Sequence, residues 1–475
     1  MKFTYIGHAS ALIEHEGKRL LFDPWLAGPV YWGAWWHFPH AKFDESLFDV
    51  DYIYITHWHF DHMHAESLQK FNRGAHLILP KFPVSGLPGP LRDMGFSKMT
   101  ELANGETFEL TPGFRLTSFQ VQLQDDSTAI VQCDVPGRDP VTIVNLNDSK
   151  PLPSTWKRIT KRFPKVEMML RSHSPAWSYP TAFTFEDPAD AIPVSKETYK
   201  QAFWTAAEKL KPRYAVAFAS GVCHLTDDTL FENENLVFAG ELLEFCKQHP
   251  MPGTEAVSLA PGTTYTPDAG FSLRTTPPGE KELQAFIVSE RASEKNRLDE
   301  TEREIDARKL SREVFHKYFR ELKLRSFPLW FVIKACWRFD VSSSSGEKTF
   351  WFDFNEGRTY VSPEVPMSQV TARFWVKEGI LADALETMCF SNIDVAKRWK
   401  VWLAKGHVTK YFLINTFSGL NEAGYSRVAN IFNLRLWWGL VLRRDELFDY
   451  VRMALNMVLK GKEAALGSAI KPVQP

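Results

Sequence analysis

The sequence predicts an α+β protein in two folded parts joined by a helical connector. Three observations carry that prediction. Short apolar runs with the two-residue alternation of strands fill much of residues 1–265 and return between Trp330 and Val376. Residues 261–282, punctuated by Pro-Gly, Thr-Pro and Pro-Pro-Gly, break the pattern and read as a linker. From Glu280 to Lys323 the chain is charged, with Leu298, Ile305, Leu310, Val314 and Phe315 spaced as on one or two amphipathic helices, a solvated connector. The division is residues 1–265 as the first domain, 266–328 as linker and helices, and 329–475 as a smaller C-terminal α+β domain. At roughly 100–200 residues per domain, 475 residues suffice for two or three with a sizeable core.

Composition narrows the function. A formal net charge of −1 gives no global pull toward nucleic acid. Five cysteines, at 133, 223, 246, 336 and 389, are scattered and form no C-x-x-C pair. That argues against a disulfide framework and a cysteine-rich zinc or iron–sulfur site, and it favours a reducing compartment. Glu14, Glu16, Lys18 and Arg19 interrupt the apolar start, so neither a signal peptide nor a membrane span is expected there. No run of about 18 apolar residues follows, and a cytoplasmic protein is the expectation.

In chain order, residues 1–26 read as a hairpin: a strand to Ile13, a turn at Glu16-Gly17-Lys18, then Leu20-Leu21-Phe22 and Asp23 at the strand end. Gly28 to His40 has no strand or helix period and reads as a long aromatic loop. Its Trp32, Trp35 and Trp36 are candidates for a substrate pocket, with an aromatic plug against the second domain as the alternative. A buried strand, Tyr52-Ile53-Tyr54-Ile55, then leads into Thr56-His57-Trp58-His59-Phe60-Asp61-His62-Met63-His64, four imidazoles and one carboxylate in nine residues. Such density asks for a metal. On extended backbone His57 and His59 point the same way and can grip one ion. A helix beginning near Ala65 lets Asp61 and His62 face a second.

Further on, His76 to Pro80 is a strand, Gly105 to Phe119 two short strands about Pro112-Gly113, and Ser127–Val131 with Val141–Leu146 a hairpin. Asp148 follows the last strand. The apolar run Met168-Met169-Leu170 precedes His173 and Trp177. A helix around Glu197 to Lys211 precedes a strand from Tyr214 and a tight turn that ends at His224.

The pattern His57-x-His59-x-Asp61-His62 after a strand ending in Thr56 resembles the signature of the metallo-β-lactamase superfamily. Tyr5 to Ile13 and Arg19 to Trp25 are similar to its first hairpin. More narrowly, the chain resembles the branch containing the β-lactamase-like part of CMP-N-acetylneuraminate hydroxylase, over roughly residues 1–265. The resemblance implies an αβ/βα sandwich, Asp148 as a metal-bridging carboxylate, and Asp23 as a residue behind the ligands, a turn-initiating Asp being the alternative. It also implies His173 as a metal or substrate residue, Trp177 in the loop beside it, and His224 as a terminal ligand. One departure matters: hydrolytic members supply another histidine before the bridging Asp, whereas no histidine lies between His76 and His173. A carboxylate of the Gln120–Ser127 hairpin takes its place, Asp126 first and Asp125 next.

The C-terminal region opens with strands at Trp330–Val341, Lys348–Phe354 and Gln369–Val376, followed by helices around Leu381–Phe390, Asp394–Leu403 and Leu442–Leu459. A three-stranded meander under helices is expected, similar in element order to sterol-carrier-like folds that hold apolar ligands. Residues 391–475 hold 13 Lys/Arg against 6 Asp/Glu, and Arg435-Leu436-Trp437-Trp438 with Arg443-Arg444 suits a membrane-surface face. Ordinary packing with a basic rim is the alternative, and a peripheral location goes with the first reading only.

These residues lead to three functions. The first is a binuclear hydrolase of a small or amphiphilic ester, amide, lactone or phosphodiester, in which two divalent ions, zinc or iron/manganese, activate a water oriented by Asp61 or Asp148. The second is a di-iron oxygenase on the same scaffold. The sequence lacks the paired Cys/His pattern of a Rieske cluster, so its electrons would come from a donor. The third is a lipid- or partner-binding protein with a structural metal. The substrate is a small molecule, with an apolar or ring-bearing group suggested by the aromatic loop.

Overall fold

Residues 1–84, 86–121, 126–273, 276–325, 334–362, 364, 369–425, 430 and 432–460 are described by a computed structural model. An eight-stranded sheet runs in the order Gly270–Phe271, Thr264–Thr266, Lys2–Gly7, Ser10–His15, Lys18–Phe22, Tyr52–Tyr54, His76–Pro80 and Met99–Leu102. It is antiparallel through the first hairpin and parallel from Lys18–Phe22 onward. A seven-stranded sheet lies against it, in the order Glu255–Ser258, Tyr214–Ala217, Met168–Arg171, Val141–Asn147, Asp126–Cys133, Phe114–Val121 and Glu106–Thr111.

Strand periodicity explains why both faces of each sheet are apolar. Ile143 and Leu170 point into the core between the sheets with Phe22, Tyr54 and Ile78, whereas their neighbours Val144 and Met169 point outward onto Trp156, Ile159 and Phe203. Helices Pro153–Arg162 and Lys196–Leu210 thus cover the second sheet. Leu68, Phe71, Leu91 and Phe96 cover the first. The layers are helix, sheet, sheet, helix, the αβ/βα sandwich that the resemblance implied. Helix Lys196–Leu210 starts where Ser195 donates its backbone N–H to Thr198 Oγ1 (3.1 Å) and stops where Lys211 turns left-handed (φ 47°).

The C-terminal part differs from the expected meander. Its sheet has six strands, ordered Phe183–Phe185, Trp399–Leu403, Ala372–Lys377, Cys336–Ser343, Gly346–Asp353 and Arg358–Val361. Cys336–Ser343 and Ala372–Lys377 are parallel, so the chain crosses over between them. The stretch Asp394–Leu403 is not one helix. Helix Ser391–Ala396 ends at Lys397 in the left-handed region (φ 59°), and Trp399, Val401 and Leu403 then alternate inward as a strand. The edge strand Phe183–Phe185 comes from the first domain of the sequence-based division and pairs with Trp399–Leu403. Trp330 to Ile333 lie outside the described residues.

The connector also departs from a solvated one. It forms three helices, Glu280–Ser293, Lys295–Ala307 and Arg312–Arg325, and the last buries Phe315, Tyr318, Phe319 and Leu322 in the C-terminal core. Helix Glu378–Glu386 lies so close to Lys295–Ala307 that a Cβ on Gly379 would fall 1.8 Å from the Ile305 carbonyl oxygen. No described helix is long and apolar enough to cross a membrane.

Candidate metal centre

The site is assembled at one edge of the two facing sheets, where several strands end together. Asp23 follows Lys18–Phe22 in a left-handed conformation (φ 40°) and is fully buried. Thr56 donates to it through its backbone N–H (2.8 Å) and its hydroxyl (2.8 Å), and Asn147 through Nδ2 (2.8 Å). Its Oδ2 also lies 3.1 Å from His62 Nδ1, which leaves His62 Nε2 turned to the site. Burial raises the Asp23 carboxyl above its ordinary value.

Asp61 is the second anchor. His8 Nε2 and His62 Nε2 each lie 3.0 Å from its Oδ2, and the Tyr31 hydroxyl donates to Oδ1 at 2.5 Å. Burial alone would raise this carboxyl, but the His62 and His8 imidazoles hold it well below the usual range. His62, set among Asp61, Asp23 and Asp148, is pushed well above the usual histidine value against its own burial.

The other donors face a cavity. His57 Nε2 lies 2.8 Å from His59 Nδ1 and 3.9 Å from Asp148 Oδ2, and His62 Nε2 lies 3.9 Å from Asp148 Oδ1. The Thr56 hydroxyl takes His57 Nδ1 at 3.0 Å and so fixes which nitrogen is presented. Asp126 Oδ1 is 3.6 Å from His57 Nδ1 and accepts the Ser127 N–H at 2.6 Å. Burial, then the charge of Asp148, pushes the Asp126 carboxyl well up.

This geometry fits cations. His8, Asp61 and His62 offer ligand atoms all within 4.8 Å of one another, and so do His57, His62 and Asp148. Asp148 Oδ1 is buried without a hydrogen-bond partner, and Asp126 and Asp148 repel each other across the same space. A positive ion removes both costs. The two groups share His62, and His59 and Asp126 flank the second without joining it, at 2.8 Å from His57 Nε2 and 3.6 Å from His57 Nδ1.

Several expected residues lie elsewhere. His173 packs toward Phe203, its backbone N–H on Ser220 Oγ (3.0 Å), in neither group. His224 is buried with Nδ1 on the Ala34 carbonyl (3.1 Å) and its ring against Trp35, also in neither group. The residue that meets Asp61 is instead His8, brought there by a left-handed turn (φ 45°) after the first strand. Trp32, Trp35 and Trp36 do not line the cavity. Trp32 Nε1 donates to Asp383 in the C-terminal part (2.7 Å), Trp35 packs on Tyr31, and Trp36 donates to Gly33 O (2.9 Å), so the loop is an interdomain plug. Trp177 does line the cavity. Asp125 lies outside the described residues.

The cavity measures about 560 Å³. Beside the metal residues its walls include Trp58, Lys150, Arg171 and Tyr199, with Asp394, Phe412 and Asn415 from the C-terminal part. None of these seven stood out in the sequence. Arg171 is buried and Lys150 is exposed, both carrying charge toward Asp148, and Lys150 Nζ sits 5.8 Å from the Trp177 ring centre.

Residues 2–132 match the family model of the β-lactamase superfamily domain. Among curated proteins, a Mycobacterium tuberculosis protein named for a Rieske 2Fe-2S centre is 26% identical over 322 residues, 62% of this chain and 59% of that protein. The cytidine monophosphate-N-acetylneuraminic acid hydroxylase of Pan troglodytes is 40% identical over 72 residues, 15% of this chain and 12% of its own. The chain therefore spans under two thirds of these relatives. Among solved structures, the diiron β-hydroxylase CmlA from Streptomyces venezuelae aligns with a TM-score of 0.39 at 19% identity, covering 58% of this chain and 54% of that one. An isothiocyanate hydrolase from Delia radicum gut bacteria aligns with a TM-score of 0.40 at 20% identity, covering 56% and 98%. The strand-edge histidines and carboxylates, the layered sandwich and the matched family model agree: the fold is that of the metallo-β-lactamases, residues 2–132 match the β-lactamase superfamily domain, and the chain is similar over a short stretch to CMP-N-acetylneuraminate hydroxylase.

Proposed function

We propose that the chain is a binuclear metalloenzyme whose site is built for oxygen-dependent hydroxylation of a small organic molecule. The observation that carries this reading is the cavity wall at His57 and His59, where the further residue is a carboxylate, Asp126, 3.6 Å from His57 Nδ1, and hydrolytic relatives use a further histidine. Two histidines and one carboxylate with open positions suit non-haem iron in oxygenases. The names of the mycobacterial and hydroxylase relatives point the same way. When bound, two iron ions would supply dioxygen binding and reduction. Inserting one oxygen atom into a C–H bond and releasing the other as water takes two electrons and two protons, which a separate electron donor must provide.

The chain's own residues prepare the site. Asp23 and Thr56 fix the tautomers of His62 and His57. Trp58, Trp177 and Phe412 give the cavity apolar walls that exclude water and suit a ring-bearing group. Lys150 and Arg171 favour an anionic substituent near the metals, and Asn415 Oδ1, buried without a partner, favours a hydrogen-bond donor at the C-terminal wall.

Hydrolysis is the second reading, favoured by Asp148 Oδ1, which lies unpartnered 3.9 Å from His62 Nε2 and could orient a metal-bound water. A purely structural metal is disfavoured because His57, His59 and Asp148 open onto the cavity. Parallel reconstitution with iron and zinc separates the two enzyme readings. We expect about two iron ions per chain with an optical spectrum that changes on reduction and reoxidises in air. Two tightly held zinc ions with turnover that ignores oxygen would remove the oxygenase reading. Asp126→His should shift the retained metal toward zinc when both are offered, as read by metal analysis.

A further inference from the structure

Sixteen large hydrophobic side chains are exposed among the described residues, and eight of them lie between Phe432 and Val451. The other eight are scattered from Phe43 to Leu413. The crowded segment forms two consecutive helices, Leu434–Leu442 and Arg444–Lys460. Their inner face is firmly docked. Arg443 and Glu446 are buried and paired (2.6 Å), Glu446 also takes Arg158 (2.9 Å), and the Ser154 N–H donates to Asp449 (2.8 Å). Gly439 approaches Pro83 so closely that a Cβ would meet its ring at 2.8 Å.

The outer face is therefore bare although the helices are held. Leu434 is 82% and Trp438 65% exposed. Besides the eight apolar residues, the exposed positions from Phe432 to Arg452 are Arg435, Arg444, Asp445 and Arg452, with no Ser, Thr, Asn or Gln among them. Arg435 spans to Glu101 at 3.0 Å.

We propose that this face seats the protein on the surface of a bilayer containing anionic lipids. A protein partner would need about one hydrogen bond per 100–200 Å² of contact, and apart from the two indole N–H groups this face exposes no neutral polar side chain to make them. Large apolar residues, an adjacent Trp437–Trp438 pair and interspersed arginines are what an interfacial helix needs: the aromatics enter the headgroup boundary and the guanidinium groups meet phosphates. The nine residues of Leu434–Leu442 are too short to cross, so the pair lies in the plane of the membrane. The placement also bears on the site. Helix Pro153–Arg162, which holds the pair through Ser154, Thr155 and Arg158, turns Pro153 and Trp156 toward the metal-site cavity. Only one helix separates the bare face from that cavity, so an amphiphilic substrate could be taken up from the lipid surface.

Co-sedimentation of the full chain with vesicles of phosphatidylcholine alone, and of phosphatidylcholine mixed with phosphatidylglycerol, tests the proposal. Binding to the anionic vesicles, weakened by salt, is expected. The double variants Trp437→Ser/Trp438→Ser and Arg444→Glu/Arg452→Glu should each lower the partition at least about tenfold. Both alter exposed positions, and unchanged circular dichroism and metal content would show the fold intact. Absence of binding to either vesicle overturns the proposal, as does binding that survives both variants. Self-association that the Trp437→Ser/Trp438→Ser variant abolishes, without vesicle binding, would assign the face to a second copy of the chain instead.

Discussion

Asp23 and Asp61, on the interior side of the metal centre, have all four carboxylate oxygens matched by donors, whereas Asp126 and Asp148, on the cavity side, repel each other and leave one oxygen unmatched. The interior half is preorganised: Thr56, Asn147, Tyr31 and His8 fix it without help. The cavity half has its donors in place but its charge unbalanced, so it needs cations to be at rest. The protein thus orients one set of ligands with hydrogen bonds and leaves the other to be completed by what enters from the cavity.

Removing the cavity-side carboxylate is the severest challenge to this contrast. Asp148→Ala takes away the carboxylate that the resemblance implies as the bridge between two ions, and we expect metal affinity to fall by more than about 100-fold, beyond what outer partners usually cost. Metal analysis after dialysis reads it, and retention of both ions at unchanged affinity would break the picture. Asp23→Asn touches the preorganised half from behind. It should cost about 10- to 100-fold in metal affinity, measured calorimetrically, while leaving all direct ligands present. A larger loss for Asp23→Asn than for Asp148→Ala would reverse the assignment of roles.

Glu422 sharpens the comparison from outside the site, as a half-buried carboxylate surrounded by hydroxyls instead of imidazoles. Tyr318 (2.5 Å) and Ser418 (3.3 Å) donate to it, as do the hydroxyl and N–H of Ser391, yet burial pushes its pKa from 4.5 up to about 7. Between those values the folded protein holds a proton that the unfolded chain has released. Its contribution to stability is therefore complete below about pH 4.5 and is lost as pH rises through about 7. Glu422→Gln should flatten that dependence and raise stability above neutral pH by roughly 2–3 kcal/mol relative to the parent at the same pH. Denaturant melts at pH 5 and pH 8 test this, and equal pH slopes for both proteins would refute it.

The most legible part of the site was the part written in consecutive residues. His57, His59, Asp61 and His62 stand within six positions, and Asp148 marks the end of a plainly apolar strand. The β-sandwich was legible through the same stretch and the hairpin before it. His8 was not, because its meeting with Asp61 spans 53 positions and depends on a left-handed turn that no local pattern announces. The histidine in Ile6-Gly7-His8-Ala9 was visible, but only as hairpin sequence. Trp399–Leu403 misled because Lys400 and Trp402 fall between its buried residues in a stretch that also has helical spacing, and its pairing with Phe183–Phe185 decides the matter. The cavity wall was hidden for the same reason: Asp394, Phe412 and Asn415 reach the cavity only through tertiary contact.

That borrowed edge strand has a consequence for how the chain comes to its native state. Phe183–Phe185 lies more than 200 positions from Trp399–Leu403, and the loop before it carries Trp177 into the metal-site cavity. A nascent chain ending near residue 265 would present an unpaired apolar strand and an open cavity, both prone to aggregate. Completion of the site therefore waits on the synthesis of Trp399–Leu403 and the cavity residues that follow it. Heat or denaturant should take the two parts down together in one transition, because neither can keep its sheet or its pocket after the other has gone.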